Sequence, residues 1–330
     1  MRALVLHRDA DTVTPVLESV ETDRLPEGDV LVDVAYSSLN YKDGLAVTNR
    51  GKIIRGDFPF VPGIDLAGTV AASETEAFRE GDRVILTGWG TGEDRWGGYA
   101  EQARARADHL VRLPDGMTLQ DAMFVGTAGF TAMLSVLALE AMGVEPAMGP
   151  VVVTGASGGV GSMAVALLAH AGFEVAAATG TPEAHGYLRA LGAAEILGRA
   201  ELAEPPKHPM GPGRWAGAVD SVGGTTIASI IATTRRHGCV AACGLAGGHA
   251  LHTTVFPFIL RGVVLYGIDS NTATPERRTQ AWERLAAALR NGALDAVERT
   301  VIGLDEVIAW SERIVRGETR GRVVVEVQGE

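Results

Sequence analysis

Cysteine is nearly missing from this chain of 330 residues: only Cys239 and Cys243 occur, in the run GCVAACG. A structural zinc takes four ligands, so a lone C-x3-C pair does not supply one, and two buried, inert thiols are expected. Positive charge is also scarce, with 29 Lys and Arg against 40 Asp and Glu and a net charge of -11. Nonspecific binding to nucleic acid or to an acidic membrane needs a basic surface that releases counterions, so neither partner is expected. No run of about 18 uncharged apolar residues is present. The opening MRALVLHRDADT meets His, Arg and Asp too early for a signal peptide, and a soluble, cytoplasmic protein is expected. Repeats and low-complexity segments are missing as well.

What is present is the composition of a globular protein, 46% hydrophobic and 21% charged, long enough for two domains. From about 149 to 268, short apolar runs alternate with helical patterns. The runs are PVVVTG (150–155), FEVAAATG (173–180), EILG (195–198), WAGAVDSV (215–222), GCVAACG (238–244) and GVVLYGID (262–269). SMAVALLAHAG (162–172) and PEAHGYLRALGA (182–193) read as helices, and a proline-rich loop covers 205–212. Strands buried on both faces read as continuous apolar runs, so this region is expected to be an α/β doubly wound parallel sheet of six strands. The segment before about residue 122 reads as β-rich and compact. Near the C-terminus, helical patterns at 275–291 and 304–316 precede GRVVVEV (321–327), a strand expected to return to the first domain.

The loop TGASGGVGS follows the first apolar run and opens a helix, the context of a dinucleotide fingerprint. Ser157, Gly158, Gly159, Val160 and Gly161 are expected to bring backbone N–H groups to a pyrophosphate at the helix N-terminus. NAD enzymes place an acidic residue about 20 residues further on. Here Thr179, Gly180 and Thr181 stand in that place, which suits a 2'-phosphate, so NADPH is the expected cofactor. Arg199 is the candidate cation for that phosphate; a solvated surface charge is the alternative.

NYKDGLAV, FPFVPGIDLAG, GWGTGEDRWGGYAE, GTAGFTA, TGASGGVG, FILRGVVLYGIDS and RGRVVVEV together resemble the medium-chain dehydrogenase/reductase superfamily. Within it they resemble the zinc-free quinone oxidoreductase-like branch that includes NADPH-dependent acrylyl-CoA reductase. The resemblance implies a GroES-like β-rich catalytic domain (1–122 and 269–330) around a Rossmann domain (123–268), an active site in the cleft between, and homodimers. Zinc-dependent members carry a Cys near the position of Asn40 and Gly-His-Glu where this chain has Gly63, Ile64 and Asp65, so no metal is expected.

Without a Lewis acid, reduction of an activated C=C is the chemistry left open. The expected activity is NADPH-dependent reduction of an enoyl-CoA thioester; alternatives are a quinone or enone oxidoreductase and a noncatalytic NADPH-binding structural or RNA-binding protein. Asn40, Tyr41 and Asp65 are the catalytic candidates, with Tyr41 as a donor and Asp65 orienting Lys42 or Tyr41; hydrogen-bonded residues at a barrel edge are the structural alternative. The resemblance places Thr127 and Ile268, Ser270 and Asn271 near the nicotinamide and its ribose, and Arg322 near the cofactor phosphates. Thr127 reads equally as a helix N-cap. For the acyl-CoA substrate, Lys42, Arg50, Lys52 and Arg55 are candidate phosphate ligands, or else a solvated hairpin, and Trp89 and Arg95 lie on a glycine-rich loop where Trp96 offers a second aromatic face.

Overall fold

The structure, a computed structural model, describes residues 1–204 and 208–329; residues 205–207 of the expected proline-rich loop lie outside the described residues. The chain divides into two compact units, residues 1–127, 271–286 and 299–330 in one, and 128–270 and 287–298 in the other.

The chain begins with the hairpin β1 (Arg2–Asp9) and β2 (Thr12–Ser19). It continues through β3 (Val30–Leu39), α1 (Tyr41–Val47), β4 (Asp65–Ser73), β5 (Arg83–Thr87), β6 (Gln102–Ala105) and β7 (Val111–Arg112) to the long α2 (Leu119–Ala141). β8 (Val151–Thr154), α3 (Gly159–His170), β9 (Val175–Thr179), α4 (His185–Ala190), β10 (Glu195–Gly198), α5 (Ala200–Ala203), β11 (Trp215–Asp220), α6 (Gly224–Thr233), β12 (Thr234–Ala242), α7 (Phe256–Arg261) and β13 (Val264–Gly267) follow. The chain ends with α8 (Pro275–Arg290), β14 (Arg299–Gly303), α9 (Val307–Val315) and β15 (Arg322–Glu326).

In the first unit the sheet order is β14-β15-β3-β4-β5-β7, with β6 also on β3. β15 pairs antiparallel with β3, as expected of the late strand, and β14 joins parallel to β15, an element the sequence reading did not contain. β3 alternates buried and exposed residues only in its first half and is then buried continuously from Val34 to Leu39. Ser37 and Ser38 are thereby carried into the interior, where each hydroxyl needs a partner.

In the second unit the order β10-β9-β8-β11-β12-β13 is parallel throughout. The all-buried Val151–Thr154 and Trp215–Asp220 form its centre, and α6 covers one face with Ile227, Ile230 and Ile231 packed against Trp215 and Val240. Each such side chain contributes about 1.5–3 kcal/mol on burial. The strand order reverses between β8 and β11, the switch point at which doubly wound sheets bind ligands. Against the expectation of no membrane-length apolar run, α2 is long and apolar enough to cross a membrane, but 89% of its apolar window is buried within the protein, as in a core helix.

Candidate active site

Asp65 opens β4 and is fully buried. Its Oδ2 accepts from Ser38 Oγ (2.5 Å), Asn40 Nδ2 (2.9 Å) and Thr127 N (2.9 Å), and its Oδ1 from Thr127 Oγ1 (2.5 Å). Both carboxylate oxygens therefore carry protein donors, and the group ties these neighbours together. The expectation that those neighbours are Lys42 or Tyr41 is corrected: they are Ser38, Asn40 and Thr127, while Lys42 pairs with Glu93 at 2.8 Å.

Asn40 precedes α1 and is itself fully engaged. Its Nδ2 also faces Ser38 Oγ (3.1 Å) and Asp43 Oδ2 (3.1 Å), and its Oδ1 accepts from Arg322 Nη1 at 3.2 Å. Asp43 reaches back to Asn40 N (2.9 Å), the N3 half of a capping box, and its other oxygen takes Ile64 N (2.9 Å). The result is a first helical turn pinned from below, with Tyr41 half-exposed at 49% immediately after Asn40.

Sequence reasoning missed four members of this cluster: Ser38, Asp43, Tyr99 and Gly126. The spacing Asn40-x-x-Asp43 was the available signal for one of them. Burial and the nearby Asp65 push the Asp43 carboxyl up to about 7, against the opposing hydrogen bonds from Asn40 and Ile64. Tyr99 is buried with its hydroxyl donating to Ser38 O (3.1 Å), and burial raises its phenol well above the usual range. Arg322, expected at cofactor phosphates, is only 2% exposed, with Nε on Phe124 O (3.0 Å) and Nη1 on Asn40, so its guanidinium serves this cluster instead. Burial lowers its pKa, and the charges of Asp65 and Asp43 oppose that shift.

The folded Asp43 binds its proton more tightly than the unfolded side chain does. Between about pH 4 and pH 7 the native state holds the extra proton, so this group makes stability fall as pH rises across that window. Urea unfolding of wild type and Asp43→Asn from pH 4 to 8 is expected to show that downward component in wild type only. Parallel pH profiles would remove the assignment.

Thr127, expected at the nicotinamide, has both its N–H and its hydroxyl on Asp65. Asn271 O accepts from Trp89 N (2.9 Å) and its Oδ1 from Gly90 N (3.2 Å), so it anchors the GWG turn. Trp89 stacks on His109 with ring centroids 4.7 Å apart, and with Arg95 and Trp96 it lines a groove of about 740 Å³. The loop that carries them starts just after Thr87, the strand partner of Asp65. The basic cluster is less available than expected: Arg50 pairs with Glu312 (2.8 Å) and Arg55 with Glu93 and Asp94 (3.2 Å each), while Lys52 is exposed.

In the second unit the glycine loop joins β8 to α3. Gly158 caps α3 without a side-chain bond, and a Cβ on Gly161 would lie 2.2 Å from Gly155 O, so only glycine permits this closeness. Ser157 Oγ lies 3.3 Å from Thr179 Oγ1, which accepts from Thr181 N (3.1 Å). The Arg199 guanidinium lies over Gly180, where a Cβ would be 2.9 Å from Cζ, Nε and Nη2. A hydroxyl-rich strand end with an exposed cation across it and bare helix N–H groups beside it is chemically suited to a phosphorylated dinucleotide. Ile268 donates its N–H to Ala242 O (2.9 Å), extending β13, and the half-buried Ser270 follows.

Two family models match the chain: the alcohol dehydrogenase GroES-like domain over residues 26–115, and the zinc-binding dehydrogenase over 159–289. The chain is 52% identical over 327 residues to the probable acrylyl-CoA reductase AcuI of Escherichia coli K12, covering 99% of this chain and 100% of that protein. The chain belongs to the quinone oxidoreductase-like branch of the medium-chain dehydrogenase/reductase superfamily. It is also 49% identical over 327 residues to the acrylyl-CoA reductase AcuI of Ruegeria pomeroyi, covering 98% of each. A crystal structure of the yhdH oxidoreductase from Salmonella enterica in complex with NADP superposes with a TM-score of 0.96 at 51% identity, covering 99% of this chain and 100% of that one.

The zinc in the second family's description does not fit the donors here. Asp65 has its oxygens filled by protein donors, Asn40 is an amide, and among the described residues no three His, Cys, Asp or Glu side chains are placed to hold a metal. Cys239 and Cys243 are free thiols on and just after β12, and burial raises their pKa values to about 11 and about 12.

Proposed function

We propose that this protein is an NADPH-dependent reductase of enoyl-CoA thioesters, converting acrylyl-CoA to propanoyl-CoA. The observation that carries this reading is the full-length likeness, at about half identity, to acrylyl-CoA reductases. The position of the absent zinc ligands supports it, being filled by a buried hydrogen-bonded cluster. Bound NADPH supplies a hydride to the β carbon, leaving NADP+ and an enolate that takes a proton at the α carbon. The glycine loop, Thr179, Gly180, Thr181 and Arg199 bind the cofactor, and Arg199 selects its 2'-phosphate. Asn40, held by Asp43, Asp65 and Arg322, fixes the start of α1 and so aims the Tyr41 phenol, which donates to the enolate oxygen or the α carbon. Trp89 and Trp96 offer apolar faces to the pantetheine arm, and the exposed Arg95 offers a cation beside it.

The protein acts in the cytoplasm as a homodimer. β13 is a sheet edge, and Val255, Ile259 and Leu265 around it are exposed, so pairing two such edges buries apolar surface and satisfies open backbone groups.

The deciding experiment follows NADPH absorbance with acrylyl-CoA, crotonyl-CoA, free acrylate and a simple quinone. Rapid oxidation with acrylyl-CoA is expected; turnover with the quinone alone, or NADPH binding without turnover, would overturn the proposal. Tyr41→Phe is expected to lower kcat by on the order of 100-fold with NADPH affinity unchanged, and an unaltered kcat would remove Tyr41 from the chemistry. Thr181→Asp, which sets a negative charge beside the 2'-phosphate, is expected to weaken NADPH at least about tenfold more than NADH. Equal losses for the two cofactors would refute that placement.

A further inference from the structure

Asp220, the last residue of β11, is fully buried, and among the described residues no cation pairs with it. A lone buried carboxylate is costly unless donors satisfy it. Its Oδ1 accepts from Thr154 Oγ1 (2.7 Å) and its Oδ2 from Gly223 N (2.8 Å). Burial raises its pKa, and the bonds from Thr154 and Gly223 oppose that shift. The proposed reaction makes no use of this group.

Its place in the sheet gives it a task. The backbone ladder between β8 and β11 runs through Gly217–Val151, Ala218–Val152 and Val219–Val153 and then stops. The next two residues, Thr154 and Asp220, are joined by their side chains instead. This is the switch point, where the chain leaves the neighbouring strands in opposite directions and the strand ends separate. Around the joint, Ser221 N donates to Thr154 Oγ1 (3.1 Å) and Ser221 Oγ to Thr154 O (3.0 Å). The residue after Thr154 is Gly155, with φ 58, where the glycine loop turns; a Cβ there would lie 2.5 Å from Ser221 Oγ. On the other strand, Asp220 holds the N–H of Gly223, whose φ of 72 begins the turn into α6.

We infer that Asp220 is a positioning residue for the cofactor: through Thr154 it clamps the ends of β8 and β11 and sets the path of the dinucleotide-binding loop, without itself touching the cofactor. A carboxylate suits the task because each of its oxygens accepts a different donor. An amide has one acceptor oxygen and turns an N–H₂ toward either Thr154 or Gly223. The inference rests on the NADPH reading above.

Asp220→Asn, Thr154→Val and Thr154→Ser test it through the NADPH Kd, measured by fluorescence titration, and the KM for acrylyl-CoA at saturating NADPH. Asp220→Asn and Thr154→Val are expected to raise the NADPH Kd by about tenfold, with the thioester KM unchanged. Thr154→Ser, which keeps the hydroxyl, is expected to bind as wild type does. A general loss of structure would move both constants together and would not be rescued by serine. Thr154→Val nearly preserves shape and carries the test alone where Asp220→Asn yields no folded protein. Wild-type affinity in Thr154→Val, or equal losses in the valine and serine variants, would overturn the inference while leaving the proposed function standing. A wild-type protein that does not bind NADPH would overturn both.

Discussion

A Gly126→Ala variant is expected to lose on the order of 3–5 kcal/mol of stability and most of its turnover. Gly126 sits inside α2 with φ 49 and ψ -162, a conformation in which the helix breaks and which residues with a Cβ avoid. The added methyl would lie 2.6 Å from Arg322 Nη2, 2.7 Å from Asp65 Oδ2 and 2.9 Å from Ser38 Oγ. None of these atoms can give way cheaply, because Arg322 is pinned by Phe124 O and Asn40, and Asp65 by four donor groups. Chemical unfolding and kcat on the same preparation check the expectation. Wild-type values for both would mean that α2 does not make this break in solution.

Asp65→Ala is expected to cost about 3–5 kcal/mol, the range for removing one member of a buried charged set. The substitution leaves Ser38 Oγ, Asn40 Nδ2 and both donors of Thr127 without this acceptor, and leaves the buried Arg322 without one of the two carboxylates that favour its charge. Asp65→Asn keeps one acceptor oxygen and is expected to fall between wild type and Ala. Because Asn40 then loses one of its three holds at the start of α1, kcat is expected to drop by on the order of 100-fold in the alanine variant while NADPH affinity stays the same. Unfolding midpoints and single-turnover rates test the order. An Asp65→Ala protein as stable and active as wild type would show that Asp65 does not hold Asn40 and the start of α1.

The two cases share a cause. Asp65 stands in the sequence as one carboxylate in an apolar, glycine-rich run, and sequence alone leaves open what it faces. Its partners come from β3, from the residue before α1 and from the break in α2, and through Asn40 the cluster reaches Arg322, 282 positions along the chain. The same holds for the cations at 42–55: as a string they read as a phosphate-binding patch or a solvated hairpin, yet Glu93, Asp94 and Glu312, remote in sequence, take up three of them.

What the sequence determined by itself is the part governed by local rules. Parallel strands buried on both faces must be apolar throughout, so VVVT and WAGAVD announced two strands of the doubly wound sheet, and the pairing put them at its centre. A tight turn from a strand into a helix needs glycine, so TGASGGVG announced the loop that joins β8 to α3. The late run GRVVVEV, with no place left in that sheet, was legible as a strand returning to the first unit, where β15 pairs with β3. Only the tertiary structure decided which polar side chains meet. Ile64 N on Asp43, which brings Asp43 near Asp65, Arg322 on Asn40, and Thr154 on Asp220 are hydrogen bonds between separate segments. Backbone periodicity carries no record of such pairs, because each is created by the register of strands and helices that pack against one another.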